Sequence, residues 1–284
     1  MIRQIRALAA LSLFLLVSAQ ANATIVRFQM SDGSRFDVNL YDKRTPATVA
    51  NFLAYVNSGA YNNVVMHRSE SGFVVQGGAY TFNGSQPVAG SLPLTSIVER
   101  SAVTNEPLLS NVRGTIAMAK LSGNANSATS QWFINMGNNS ANLDVQNGGF
   151  TAFGEVTAGG MAVLDAINAL PLFSFSSSIN SLPLRNYTTA DANAGVAITG
   201  QNLVYATSVT VLDSNADSAA TLTPVANTLL GQSGGTTTPP ASDSGGGGAT
   251  GAVSLLLLGA LALWRQRGGY GPTSTARAAS RRAA

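Results

Sequence analysis

One short stretch of the sequence, residues 66–78, holds the side chains with the clearest chemical potential. It reads MHRSESGFVVQGG and contains His67, Arg68, Phe73 and Gln76. His67 is the only histidine of the chain, and there is no cysteine. A histidine could serve as a base or a metal ligand, whereas an arginine offers a permanent cation with several directed N–H donors. The chemistry of the stretch therefore depends on which of these two neighbours is used.

The common catalytic motifs are missing from the sequence. Zinc sites need three or four ligands and mostly use Cys and His, so one histidine without cysteine argues against a metal centre. DSNADS at 213–218 begins like a calcium loop but lacks the Gly and Glu at its sixth and twelfth positions. GQSGG at 231–235 fits the nucleophile-elbow motif G-x-S-x-G, but it lacks the strand before it and the helix after it that this motif needs. No Walker or dinucleotide-binding pattern appears. We expect no metal and no cofactor, and an arginine among apolar residues and amides could still catalyse a reaction that breaks no covalent bond.

Hydrophobic patterns predict the elements that must position these residues. A hairpin is predicted in TIVRFQMSDGSRFDVNLY, because two alternating runs flank Asp32-Gly33. Helices are predicted in TPATVANFLAYVNSG, capped by Thr45, and in GGMAVLDAINALP. Further strands are predicted at 64–68, 73–76, 114–119, 130–135, 150–156 and 203–213, with a possible short one in LPLRNY. Two helices and about eight mostly antiparallel strands predict a mainly β fold, a closed eight-stranded barrel capped by two α-helices.

The two ends of the chain differ in composition from the body between them. Residues 1–23 have a basic start, an apolar run and ANA before position 24, typical of a cleaved signal peptide. Residues 24–213 form the predicted domain, and residues 214–248, rich in Gly, Ser, Thr and Pro, a linker. Residues 249–264 are apolar enough for a helix just short of a membrane span, and residues 265–284 form a basic tail.

The charge of the chain does not indicate a nucleic-acid partner. It carries 16 Lys and Arg against 13 Asp and Glu, a formal charge of +3, but much of the excess lies in the two ends. The body is close to neutral or mildly acidic and has no basic stripe. Because there is no cysteine, the domain must be stabilised by an ordinary hydrophobic core rather than by disulfides.

Several blocks of the sequence, in order, resemble one known family. They are TPATVANFLAYV, MHRSESGFVVQGG, NEPLLSNVRGTIAMAK, NSATSQWFIN, NLD and FTAFGEVTAGGMAVLDAI. From residue 24 to about 213 the chain resembles the cyclophilins, the β-barrel peptidyl-prolyl cis-trans isomerases, and most of all their exported bacterial branch. The resemblance implies a cyclophilin-like barrel that accelerates rotation about X-Pro bonds in proline-containing peptides and unfolded clients, assisting their folding.

The resemblance also implies roles for individual residues. Arg68 matches the catalytic arginine of the family and Phe73 its aromatic floor, while Gln76 and Gln131 match amides that contact the arginine and the substrate backbone. The catalytic set is thus Arg68, Phe73, Gln76 and Gln131. The implied substrate-binding residues are Val74, Ala119, Lys120, Phe133, Asn142, Leu143 and Phe150. His67 is expected to be a packing or hydrogen-bonding residue behind them.

Three departures from the family pattern bear on these expectations. Asn142 stands where eukaryotic members that bind cyclosporin tightly carry Trp, and Phe150 stands where the family has a pocket-side His. Both put drug affinity in doubt more than isomerase activity. Residues 171–202 extend beyond the usual path into the last strand, and the sequence suggests only an elaborated loop there.

The C-terminal segment SGGGGATGAVSLLLLGALALWRQR resembles the bacterial GlyGly-CTERM sorting signal. The resemblance implies a transient membrane anchor that a rhomboid-like protease cleaves, and so a periplasmic or cell-surface location. The extra residues after the arginines keep a plain membrane anchor as an alternative. Two alternative functions remain: a peptide-binding module on the cell surface with little catalytic activity, and a structural protein of the cell surface. The domain is expected to be a monomer.

Overall fold

The hairpin predicted at the start of the domain is present. The computed structural model describes residues 24–157, 159–214 and 222–231. Strands β1 (Ile25–Met30) and β2 (Arg35–Leu40) pair antiparallel, and Gly33 turns between them with a φ of 86°. Val26, Phe28 and Met30 alternate into the core, because successive side chains of a strand point to opposite faces. The hairpin prediction is therefore confirmed.

The remaining elements include the two predicted helices and several short pieces that the sequence did not indicate. The helices are α1 (Pro46–Asn57), α2 (Ser140–Leu143), α3 (Gly160–Asn168) and α4 (Thr189–Asn193), with a 3-10 turn at Gln146–Gly148. The strands are β3 (Val64–Val65), β4 (Arg68–Glu70), β5 (Val74–Gly77), β6 (Tyr80–Phe82), β7 (Leu94–Ser96), β8 (Thr115–Met118), β9 (Trp132–Asn135), β10 (Ala152–Val156), β11 (Leu172–Phe173), β12 (Leu182–Pro183) and β13 (Tyr205–Asp213).

The start of α1 differs in one detail from the prediction. The fully buried Thr45 precedes the helix, but its side chain does not cap it and instead donates to the carbonyl of Tyr41 at 3.5 Å. The first backbone N–H groups of the helix, those of Ala47 and Thr48, donate to the carboxylate of Glu106 at 3.3 and 2.9 Å. A distant acidic side chain therefore replaces the predicted local cap.

The main sheet is antiparallel and curls on itself. Its strands follow the order β4-β5-β9-β8-β10-β2-β1-β13-β3-β6-β7. Only Met66 and His67 separate β3 from β4, and their backbone N–H groups donate to Val204 on one side and to Gln76 on the other. Residues 64–70 thus join both sides of the sheet and close a ring of eight segments. The mainly β, antiparallel barrel is confirmed, and the unpredicted strands β6 and β7 extend the sheet beyond it.

Two apolar clusters occupy the two faces of this curled sheet. Val75, Ile116 and Ile134 point inward and pack with Phe28 and Trp132 in the main core. Residues one step away on the same strands point outward. With the loop residues beside them they form a second cluster, the groove cluster: Tyr41, Val74, Leu109, Ala117, Ala119, Phe133, Leu143, Phe150 and Ala152. The alternation of the strands therefore builds an apolar surface on the outside of the barrel.

Residues 171–202, expected to be an elaborated loop, are a folded extension. Strands β11 and β12 pair with each other, and α4 begins with a capping box between Thr188 and Asp191. Leu182 and Leu184 are fully buried and pack with Val65 of β3 in a third apolar cluster. The extension is thus attached to the strand that leads into Arg68.

Part of the predicted linker is also attached to the domain. Within residues 214–248, the described stretch 222–231 runs antiparallel to residues 108–110, with Ser110 N–H donating to Val225 and Asn227 N–H to Leu108. The packing of Leu222 against the groove cluster and the Asn227 side-chain amide add to these backbone hydrogen bonds. The predicted signal peptide, apolar segment and basic tail lie outside the described residues. None of the described helices has the length and apolar character needed to cross a membrane.

Candidate active site

The register of three neighbouring strands brings the predicted site residues into one row. Arg68 of β4 lies opposite Gln76 of β5, Gln76 lies opposite Phe133 of β9, and Phe133 lies opposite Ala117 of β8. Directly opposed residues on paired strands share one face of the sheet. The row therefore crosses the outer face of the barrel and forms the base of a groove.

A small pocket lies on this row and is lined by seven of the residues implied by the resemblance. They are Arg68, Phe73, Val74, Gln76, Phe133, Leu143 and Phe150. The rings of Phe133 and Phe150 meet edge to face, with centroids 5.9 Å apart. The walls are apolar, and one cation and one amide stand at the rim. Such a pocket suits a compact apolar ring whose neighbouring atoms are polar.

Arg68 is held in place by a chain of amides. Its Nη1 donates to Gln76 Oε1 at 3.2 Å, and Gln76 Nε2 donates to Gln131 Oε1 at 3.1 Å. The Arg68 side chain is 13% exposed, and burial lowers the pKa of its guanidinium from the usual value. An arginine so placed stays charged, because its ordinary pKa lies far above neutrality. Gln131 thus acts behind Gln76 and does not line the pocket.

His67 lies beside this chain of amides and is buried. It is 3% exposed and packs edge-on against Tyr80, with ring centroids 5.5 Å apart. Burial, and then the charge of Arg68, lower the pKa of His67 to about 4. The imidazole is therefore neutral near pH 7 and has no access to the pocket, as expected for a packing residue.

Lys120 supports the groove from behind and does not line the pocket. Its side chain is buried, and Nζ donates to the carbonyl oxygens of Asn147 at 2.9 Å and Gly149 at 2.6 Å. The amine lies 4.7 Å from the centroid of the Phe150 ring, and burial lowers the pKa of Lys120 to about 8. The lysine thus fixes the loop that presents Phe150, and only the backbone of Lys120 can contact a peptide in the groove.

The other two implied residues also stand next to the pocket. Ala119 belongs to the groove cluster, and its N–H donates to Gln131 at 2.9 Å. Asn142 is half-buried on α2, directly before the pocket residue Leu143. Among the described residues, no group of three His, Asp or Glu side chains could hold a metal ion.

The structure adds three residues to this site that sequence reasoning missed. Glu70 Oε1 lies 3.4 Å from Arg68 Nη2, and Ser181 of the extension donates to the same oxygen at 3.2 Å. Leu222 packs against the groove cluster from the predicted linker. The spacing of Arg68 and Glu70, two residues apart on a strand, was a usable signal, but nothing in the sequence pairs Ser181 or Leu222 with the site.

Comparison with known proteins places this geometry in a family. The profile described as cyclophilin type peptidyl-prolyl cis-trans isomerase/CLD matches residues 25–189. The chain is 34% identical over 162 residues to a peptidyl-prolyl cis-trans isomerase of Acinetobacter baylyi, covering 57% of this chain and 81% of that protein. It is 39% identical over 152 residues to peptidyl-prolyl cis-trans isomerase A of Dickeya dadantii, covering 53% and 74%.

Solved structures give a further match. A cyclophilin type peptidyl-prolyl cis-trans isomerase of Cryptosporidium parvum aligns with 67% of this chain and 98% of its own, at 22% identity and a TM-score of 0.47. The family profile covers more than half of the chain, and relatives more than 30% identical are matched over most of their own length. The chain therefore belongs to the cyclophilin-type peptidyl-prolyl cis-trans isomerases and is an enzyme of that activity.

Proposed function

We propose that this isomerase acts on proline-containing segments of exported proteins, assisting their folding, and that Arg68 is its catalytic residue. The observation that carries the site assignment is the guanidinium at the rim of an apolar pocket, fixed by Gln76. The export proposal is carried by the signal-peptide pattern in residues 1–23.

The proposed mechanism follows from the electronic structure of the peptide bond. Rotation has a barrier of about 18–20 kcal/mol because the nitrogen lone pair is conjugated with the carbonyl. At the twisted midpoint that lone pair is free on the prolyl nitrogen. An N–H donor aimed at it stabilises the twisted state more than either planar isomer, which is the condition for catalysis. The step needs no nucleophile, base or bond cleavage.

The pocket residues divide this task between them. Phe73, Phe133 and Leu143 would hold the proline ring, so that rotation occurs on the carbonyl side of the bond. Arg68 has five N–H donors, and the contacts to Gln76 and Glu70 leave others to face the substrate. A neutral, buried His67 takes no part in the step.

Substitution of Arg68 tests this assignment. We expect Arg68→Ala to lower kcat/KM about 100-fold in a protease-coupled proline-peptide assay, since one directed donor to a transition state contributes about 2.7–4 kcal/mol. Arg68→Lys keeps the charge but loses the planar fork, so we expect it to recover only part of the activity. His67→Phe is the matched control from the neighbouring position. Turnover near that of the wild type in folded Arg68→Ala would refute the assignment.

We propose further that the C-terminal segment attaches the enzyme to a membrane, at least transiently, with the domain on the periplasmic or surface side. The glycine run, the apolar residues 249–264 and the arginines that follow support this proposal. We propose that a rhomboid-like protease cleaves this segment near the glycines. The alternative is that the segment is retained as a membrane anchor. Mass spectrometry of the C-terminus from membrane and surface fractions distinguishes the two, because an intact Ala284 would rule out processing.

A further inference from the structure

We infer that Glu70 is a positioning residue for Arg68, and that the 171–202 extension keeps Glu70 in place through Ser181. The inference rests on the proposed role of Arg68. It gives the extension, which had no functional interpretation, a part in the isomerase reaction.

Two side chains, Gln76 and Glu70, hold the guanidinium of Arg68. Arg68 and Glu70 are two residues apart on β4, so their side chains leave the same face of the strand. Arg68 Nη1 is bonded to Gln76, and Nη2 lies 3.4 Å from Glu70 Oε1. Two partners on two different nitrogens fix both the position and the plane of the guanidinium. The N–H groups left over are then held in a fixed plane.

Glu70 is itself held by the extension through its side chain and by α3 through its backbone. Ser181 Oγ donates to Glu70 Oε1 at 3.2 Å, the oxygen that also faces Arg68. Asn168, the last residue of α3, donates from Nδ2 to the Glu70 carbonyl at 3.0 Å and to the Ser69 hydroxyl at 2.8 Å. The Ser69 N–H donates to the Ser181 carbonyl at 2.9 Å. Strand β4 is therefore clamped between α3 and the extension.

Buried neighbours on both sides hold Ser181 in place. It directly precedes β12, where Leu182 is fully buried, and Ile179 on its other side is also buried. Both belong to the cluster that anchors the extension on Val65. A second attachment joins Arg185 to Asp32 of the first hairpin at 2.7 Å. The serine hydroxyl is thus presented from a packed element.

This contact is expected to act on the reaction more than on stability. The side chains of Arg68 and Glu70 are 13% and 29% exposed, and their N–O distance of 3.4 Å is longer than that of a strong charge-assisted hydrogen bond, so we expect the pair to contribute little to folding. Orientation of a donor has a large effect on rate, because a displacement of about 1 Å can cost about 100-fold. The donor is needed when the bond is twisted, which is the step that kcat reports. Loss of Glu70 should therefore lower kcat more than it raises KM.

The experiment compares kcat and KM for single and paired substitutions in the full-length protein. We expect Glu70→Ala to lower kcat about tenfold with less than a twofold change in KM, and Ser181→Ala to lower it about threefold. In the double variant the serine change should add nothing, because Ser181 acts only through Glu70. Glu70→Gln keeps an oxygen that can accept from both neighbours, so we expect it to recover most of the loss. Asp37→Ala, which removes the Arg27–Asp37 ion pair of the hairpin, is the matched control and should leave kcat unchanged.

The outcomes separate this inference from the proposed function. Full activity in Arg68→Ala would overturn the role of Arg68 itself. An inactive Arg68→Ala beside a fully active Glu70→Ala would overturn only the inference. Equal changes in kcat and KM that Glu70→Gln does not recover, or additive effects of the two alanine variants, would indicate a merely structural role and would also overturn it.

Discussion

His67 and Arg68 follow each other in the chain, but their side chains have different surroundings. His67 is 3% exposed and packs against Tyr80, while Arg68 reaches the groove beside Gln76. The histidine is conspicuous in the sequence because it is the only one, but its burial keeps it neutral near pH 7. The arginine keeps its charge and lines the pocket. The role of each residue thus follows from the surroundings of its side chain.

At the residue scale, the buried imidazole predicts an acid-sensitive fold. The pKa of His67 is about 4 in the folded chain, against an ordinary value of about 6.5 when unfolded. Between these values the unfolded chain binds the proton and the folded chain does not. The free energy of unfolding should therefore fall as the pH drops from 6.5 to 4, by up to about 3 kcal/mol. Urea unfolding at pH 7, 6 and 5 measures the slope.

His67→Phe is the control for this slope, because a phenyl ring can still meet Tyr80 edge-on but cannot titrate. We expect its stability to depend less steeply on pH over the same interval. Identical slopes in the two proteins would show that other groups cause the acid sensitivity.

At the scale of elements, the closeness of β5 to β9 depends on a glycine. Gly78 follows β5 with a φ of 86°, and a Cβ there would lie 2.3 Å from the Ser130 carbonyl oxygen, next to the site residue Gln131. We expect Gly78→Ala to lower the free energy of unfolding by about 3 kcal/mol or more, from left-handed backbone strain plus overpacking. Gly84 has a φ of 70° with nothing near a Cβ.

Gly84→Ala therefore isolates the backbone strain and should cost only about 1–2 kcal/mol. Thermal unfolding of both variants measures the difference. Equal losses would mean that the strands can separate at Gly78 without penalty, contrary to the packing described above.

The segment 222–231 is the second element with a specific prediction. Asn227 Nδ2 donates to the carbonyl oxygens of Pro107 and Asp144 at 3.1 and 3.0 Å, which ties the segment to the end of α2, where Leu143 lies. We expect Asn227→Ala to release the segment, with a loss of about 1–2 kcal/mol. The Ser110 amide, which donates to Val225, should then exchange its hydrogen at least about tenfold faster.

Thr223 supplies the control for this prediction, since its side chain is exposed within the same segment. Thr223→Ala should leave the exchange of Ser110 unchanged. Unaltered exchange in Asn227→Ala would show that backbone hydrogen bonds and apolar packing hold the segment without this side chain.

Sequence patterns predicted the elements with strong periodicity and missed those defined by long-range contacts. The hairpin, α1, α3 and the strands of the barrel all have alternating or helical apolar spacing. Strands β6 and β7 have three residues each, too few for a period to appear. Seven of the implied site residues do line one pocket, but Ser181 is 111 residues from Glu70 in the chain, and only folding brings the two together.

At the scale of the whole molecule, a contact between Thr24 and Asp42 lies where the domain meets the predicted signal peptide. Thr24, the residue after the predicted cleavage site, directly precedes β1. The backbone nitrogen of Thr24 donates to Asp42 Oδ2 at 2.9 Å, and its hydroxyl donates to Oδ1 at 3.0 Å. The carboxylate is thus placed where a new chain terminus would arise.

Cleavage after Ala23 would change the nature of this contact. The backbone amide of Thr24 would become an α-ammonium group, so the hydrogen bond to the Asp42 carboxylate would gain an attraction between opposite charges. We expect intact-mass measurement of the exported protein to give Thr24 as its first residue. A first residue elsewhere, or a retained Met1, would contradict the predicted cleavage site.

Asp42→Asn tests the energetic consequence in the same protein. The substitution removes the negative charge, so it should lower the free energy of unfolding by about 1 kcal/mol more in a chain that starts at Thr24 than in one with an extra methionine before it. In the longer chain the nitrogen of Thr24 is a neutral amide, and that chain is the control. An equal loss in both would mean that the charge of the new terminus contributes nothing. A larger loss in the shorter chain would mean that removal of the signal peptide also stabilises the isomerase fold.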